Sequence, residues 1–92
     1  MARNVNIENQ KLLVEIALDG RNSRKIRMHA LEKINDQKAL GFIANNVKED
    51  LEIRVMAVKK ISDKNVLNEV LKNVDGRIRA EIAKSNIIRF TN

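Results

Sequence analysis

Apolar residues recur along this chain at helical spacing in short bursts, and the bursts themselves return every 27 residues. Under that shift Leu13, Leu40 and Leu67 fall in register, as do Ile16, Ile43 and Val70, then Ile7, Ile34 and Ile61, and the polar trio Asn9, Asp36 and Asp63. A second set, Ile26-Arg27, Ile53-Arg54 and Ile78-Arg79, aligns once two residues are deleted from the third copy. Each Ile of that set is followed four positions later by a small or apolar residue, Ala30, Ala57 or Ile82. Helical periodicity inside a unit that repeats at this length predicts an all-α chain of three stacked helix pairs, an α–α superhelix, rather than a single layered fold. The units run over about 9–34, 36–61 and 63–88 of one domain spanning residues 1–92.

Taken in order, Val5 and Ile7 alternate as in a short extended arm over residues 1–8, with Ile7 at the position that ends a unit elsewhere. Asn9 then caps a helix that carries Leu12, Leu13, Ile16 and Ala17 on one face and stops at Asp19-Gly20, the glycine serving as a left-handed exit residue. Ser23 can accept a free N–H of the next helix, whose inward stripe is Ile26, Ala30 and Ile34 with Leu31 beside it. The middle unit repeats the plan: Asp36 caps a helix with Ala39, Leu40, Ile43 and Val47 inward, and Asp50 caps one with Ile53, Ala57, Val58 and Ile61 inward. Gly41 costs that helix about 1 kcal/mol relative to Ala, which implies that a close neighbour needs the space. In the third unit Val66, Leu67, Val70, Leu71 and Val74 face the core, and after Asp75-Gly76 the stripe is Ile78, Ile82 and Asn86. The polar Asn86 fits a terminal unit with nothing stacked on it, and Ile87, Ile88 and Phe90 can fold back over that open end.

Composition narrows the picture without adding chemistry. Apolar residues make up 43% and charged residues 33%, so the chain can form a core, while no Pro and three Gly favour helices. Phe42 and Phe90 are the only aromatic residues, so the core is aliphatic. The lack of cysteine excludes disulfides and thiolate metal sites. No apolar run approaches a membrane span and the polar start MARNVNIENQ has no signal-peptide core, so the expected setting is soluble and cytoplasmic. A net charge of +6 would attract nucleic acid or acidic proteins.

The stretches SRKIRMHALEKINDQKAL and DLEIRVMAVKKISDKNVL resemble short HEAT-like repeats of the phycobilisome lyase type, in which a capping acid, then a β-branched residue followed by Arg, then a small residue three positions after the Arg, recur about every 30 residues. That resemblance covers Asn9 to Ile88 and implies a short right-handed solenoid whose second helices line a concave face. Where the family often has a further Asp six residues before the Arg, this chain has Arg21, Lys48 and Asn73, leaving Asp50 and Asp75, with Ser23 in the first unit, as caps. Such repeats serve scaffolds, lyase chaperones, DNA-repair proteins and an iron hydroxylase alike, so the fold does not name the function.

The net charge sits on the segments that hold the second helices: +4 over residues 21–34, 0 over 49–61 and +2 over 75–92. Arg27, Arg54 and Arg79 lie next to the inward stripe, where their stems would pack between units with the guanidinium on a carbonyl or cap. Outward positions stack as Lys25, Glu52 and Arg77, then His29, Met56 and Glu81, then Glu32, Lys59 and Lys84, then Lys33, Lys60 and Ser85. Mixed signs along these rows fit salt bridges between units better than a phosphate track. The candidate binding surface is therefore Lys25, His29, Lys33, Glu52, Met56, Lys59, Lys60, Arg77, Glu81 and Lys84. A lone histidine, His29, cannot supply the paired His-Glu ligands of the hydroxylase relatives, and no phosphate loop or nucleophile motif stands in the chain, so no cofactor or enzyme activity is expected. The expected function is a monomeric, non-catalytic module that binds a protein partner. The alternative is nonspecific nucleic-acid binding through Arg21, Arg24, Lys25, Lys33, Lys59, Lys60, Arg77 and Lys84.

Overall fold

The computed structural model describes the backbone of residues 2–74 and 76–84, with side chains from 9–74 and 76–81. Six helices follow one another: α1 (Ala2–Leu18), α2 (Arg24–Glu32), α3 (Gln37–Asn45), α4 (Leu51–Lys60), α5 (Lys64–Asn73) and α6 (Gly76–Lys84), with no strand among the described residues. α1 packs on α2 and α3 on α4, while α3 also meets α5, α2 meets α4, and α4 meets α6. The even-numbered helices thus lie in one continuous row.

Caps set the starts of these short helices. Ser23 accepts from the Ile26 N–H, Asp36 from Ala39, Asp50 from Glu52, and Asp63 from both Asn65 and Val66. Each answers one or two of the four N–H groups that a helix leaves unpaired at its start, typically contributing about 1 kcal/mol. Asp75, expected to cap α6, lies outside the described residues.

The core is the aliphatic set expected from the stripes. Ala17, Leu31, Ile34, Leu40, Ile43, Ile53, Ala57, Val58, Leu67 and Ile78 are inaccessible to solvent, and Ala30, Ile61, Val70 and Val74 nearly so. Burial of each large side chain contributes about 1.5–3 kcal/mol, which matters in a chain too short for a large core. Gly41 admits the close neighbour its position implied: a Cβ there would stand 3.1 Å from Val66 Cγ1 and 3.7 Å from Val70 Cγ2. The helix-propensity cost of this glycine accompanies the contact between α3 and α5.

Several expectations fail for local reasons. The arm over residues 1–8 is not extended, because α1 begins at Ala2, so Asn9 is a helix-interior residue rather than a cap and Ile7 ends nothing. With neither Gly nor Pro between residues 2 and 18, nothing stops a helix already nucleated downstream from propagating back. Gly20 does not adopt the left-handed conformation. Instead α1 closes through the Asp19 N–H and the Asn22 Nδ2, both donating to the Ile16 carbonyl at 3.3 and 3.2 Å. Val47, expected inward, is 76% exposed, since α3 ends at Asn45 and the stripe has no helix to carry it further. Leu12 and Ile26, also expected inward, are 53% and 51% exposed. The expected positions Ile82 and Asn86, and the tail Ile87, Ile88 and Phe90, lie outside the side chains described.

Candidate functional site

The three repeated arginines each bond a backbone carbonyl of the preceding helix. Arg27 Nε–H donates to the Ala17 carbonyl at 2.8 Å, Arg54 Nε–H to the Ala44 carbonyl at 2.9 Å, and an Arg79 Nη2–H to the Leu71 carbonyl. The three acceptors stand 27 residues apart, so the second helix of each unit is pinned to the end of the first by the same bond. Helix C-termini leave carbonyls unpaired, and a cation placed there satisfies both the lone pair and the partial negative charge.

Between α2 and α4 runs an ionic seam. Arg24 bonds Glu52 Oε1 at 2.9 Å and Asp50 Oδ2, while Arg27, through Nη2, bonds Glu49 Oε1 in nearly solvent-free surroundings. The Lys60 ammonium donates to the Glu32 carbonyl at 2.9 Å across the same pair of helices. A further link was not anticipated from the sequence. The Gln10 side-chain oxygen accepts the backbone N–H groups of Asn35 and Asp36 at 2.8 and 3.0 Å, and Gln37, 27 residues on, accepts those of Ser62 and Asp63 at 2.8 Å each. The signal was present as a glutamine at the same place in units one and two, replaced by Lys64 in the third.

The ten candidate surface residues divide into two groups. Glu52, Met56, Lys59 and Glu81 meet around a depression that spans α2, α4 and α6, floored by Met28, Leu51 and Val55. Met28, absent from the expected set, takes the place given to His29. Lys25, His29 and Lys33 instead flank an apolar recess on the far side of α2, with Leu13, Ile16, Ile26 and Ala30. The helix turns these three away from α4, so they do not share a face with Glu52 and Met56. Lys60 is held by the Glu32 carbonyl, Arg77 is exposed at the start of α6, and the Lys84 side chain lies outside those described. The salt bridges expected along the rows form with a different partner: Glu52 meets Arg24, not Lys25.

Elsewhere on the surface, Arg21 donates through Nε and Nη2 to both carboxylate oxygens of Asp19 at 3.0 Å, and its backbone N–H adds a third bond at 2.9 Å. The Arg21 side-chain hydrogen bonds, then its backbone bond, hold the Asp19 carboxyl below its ordinary value, and the carboxylate in turn raises Arg21. Among the described residues no cluster of three metal-binding side chains occurs, and no helix is long and apolar enough to cross a membrane. The chain matches no family model, no curated protein and no solved structure.

Proposed function

We propose that the chain is a short right-handed superhelix of three HEAT-like helix pairs that works as a non-catalytic protein-binding module in the cytoplasm. The binding surface is the depression across α2, α4 and α6. The observation that carries this reading is its composition: an apolar floor of Met28, Leu51 and Val55, a flexible Met56 at the centre, and a rim of both signs in Glu52, Lys59 and Glu81. An apolar centre with a mixed polar rim is how protein interfaces are built, and methionine adapts to irregular partners. Arg24 and Lys60, counted among the cations for nucleic acid, are engaged within the protein, which leaves fewer cations for a phosphate backbone.

A photo-crosslinker placed at Met56 and, as a comparison, at Lys38 on α3 tests the reading in cells. Crosslinks to discrete proteins from position 56, absent from position 38 and lost with Lys59→Glu, are expected. Crosslinks to nucleic acid alone, or equal yields from both positions, would overturn it. Duplex DNA binding that falls by orders of magnitude between ~50 and ~200 mM salt would favour the nucleic-acid alternative.

A further inference from the structure

Among the described residues, no unit covers the recess beside α1 and α2, which has the make-up of a unit interface. Leu40, Ile43 and Ile53 of the second unit, and Leu67, Val70 and Ile78 of the third, are 0–1% exposed. Their counterparts Leu13 and Ile16 are only partly covered and Ile26 is 51% exposed. Ile53 and Ile78 lie on helices packed against the preceding even-numbered helix, α2 and α4 respectively, so the protein itself shows that a helix suits a surface of this kind.

Charge identifies the kind of helix. In the seam between the first two units the earlier one supplies cations, Arg24 and Arg27, and the later one acids, Glu49, Asp50 and Glu52. At the open face the positions of those acids hold Asn22, Ser23 and Lys25. Lys25, His29 and Lys33 are exposed there, and none of them forms an ion pair among the described residues. A second copy stacking end to end would set its last unit here, whose places for the seam cations Arg24 and Arg27 hold Gly76 and Arg79, so it would bring a cation and no acid from those places toward these lysines. An acidic segment meets no such repulsion.

We propose that this end face docks an amphipathic helix of a partner protein, its apolar stripe covering Leu13, Ile16 and Ile26 and its flanking carboxylates meeting Lys25 and Lys33. This surface is separate from the depression across α2, α4 and α6, and the inference does not depend on that one. The mode is a helix laid on an apolar groove, with charge setting which helix is accepted.

The test uses two labelled synthetic helical peptides with the same leucine stripe, one flanked by Glu and one by Lys, titrated against the full chain by fluorescence anisotropy. The Glu-flanked peptide should bind at least ~10-fold tighter, which corresponds to ~1.4 kcal/mol. Ile26→Asp should weaken it by a similar factor, and the double variant Lys25→Glu/Lys33→Glu should reverse the preference. Ile26 is half-exposed, so its variant keeps its helical circular dichroism and melting point. Equal binding of both peptides, or binding indifferent to Ile26→Asp, would overturn the proposal. Loss with Met56→Asp alone would move the peptide to the other surface. A dimer in sedimentation that Ile26→Asp dissolves would give the face to a second copy, and binding seen only after removal of residues 85–92 would give it to the chain's own tail. Each of these three results overturns it as well.

Discussion

Arg54 donates its Nε–H to the carbonyl of Ala44 at 2.9 Å while its side chain is almost wholly removed from solvent. The bond closes the C-terminal end of α3 from the middle of α4, so Arg54→Met should keep the packing of the stem and orphan a buried carbonyl. A loss of about 1–3 kcal/mol in urea unfolding is expected, and Arg54→Ala should lose more because the stem goes too. Arg79→Ala, at an exposed position, should cost less. Equal midpoints for the Arg54 and Arg79 variants would show that burial does not set the strength of this bond.

Gln37 should matter more than an exposed glutamine usually does. Its side chain takes two backbone N–H groups from the turn that opens the next unit, and Gln37→Ala is expected to lose about 1–2 kcal/mol. Lys64→Ala, at the matching place in the third unit, should stay within about 0.5 kcal/mol of the parent in the same thermal melts.

Two glycines should respond in opposite directions. Gly20 is not left-handed and a Cβ there would meet nothing within 4 Å, so Gly20→Ala is expected to stabilise by about 0.4–1 kcal/mol through the unfolded chain. Gly41→Leu drives a side chain into Val66 and Val70 and should destabilise by about 1–3 kcal/mol, part of which Val66→Ala in the same chain should restore. Calorimetric melting of the three variants measures both signs.

The Asp19 carboxyl should titrate below an ordinary aspartate in carbon-detected NMR and return toward the ordinary value in Arg21→Gln. Because the folded value is the lower one, any stability from this pair is fully present above the unfolded value and is lost as pH falls through the folded value. Arg21 stands in solvent and Asp19 partly so, and such a pair contributes little, so Arg21→Gln should leave the melting point at neutral pH nearly unchanged.

Burial, capping and periodicity made most of the fold legible. Leu40, Ile53 and Leu67 were placed inward by spacing alone because helical geometry leaves them no other direction, and Ser23, Asp36 and Asp50 were readable as caps because few side chains can serve there. The place of Arg27 and Arg54 beside the stripe pointed to a carbonyl or a cap as acceptor, and the structure supplies a carbonyl to each. The start of α1 was not legible, since nothing within residues 2–18 marks a boundary. Nor was the division of the candidate surface. Lys25 and Glu52 share a repeat position, yet Glu52 sits against a preceding helix and Lys25 does not, and a repeat alignment carries no record of which neighbour is present. His29 and Met28 exchanged roles for the same reason: adjacent residues on a helix differ by about 100°, and one position decides which side of α2 a side chain joins.

At two places the seam between the first two units is charged where the next is apolar: Leu51 and Val74 occupy the places of Arg24 and Glu49. Salt screens the partly exposed Arg24 contacts but leaves buried Val74 untouched. Raising ionic strength should therefore let the chain open from its first helix pair inward, with amide exchange in α1 and α2 quickening before that in α4 and α5. The array would then behave as a zipper with a preferred loose end rather than as a block that melts at once.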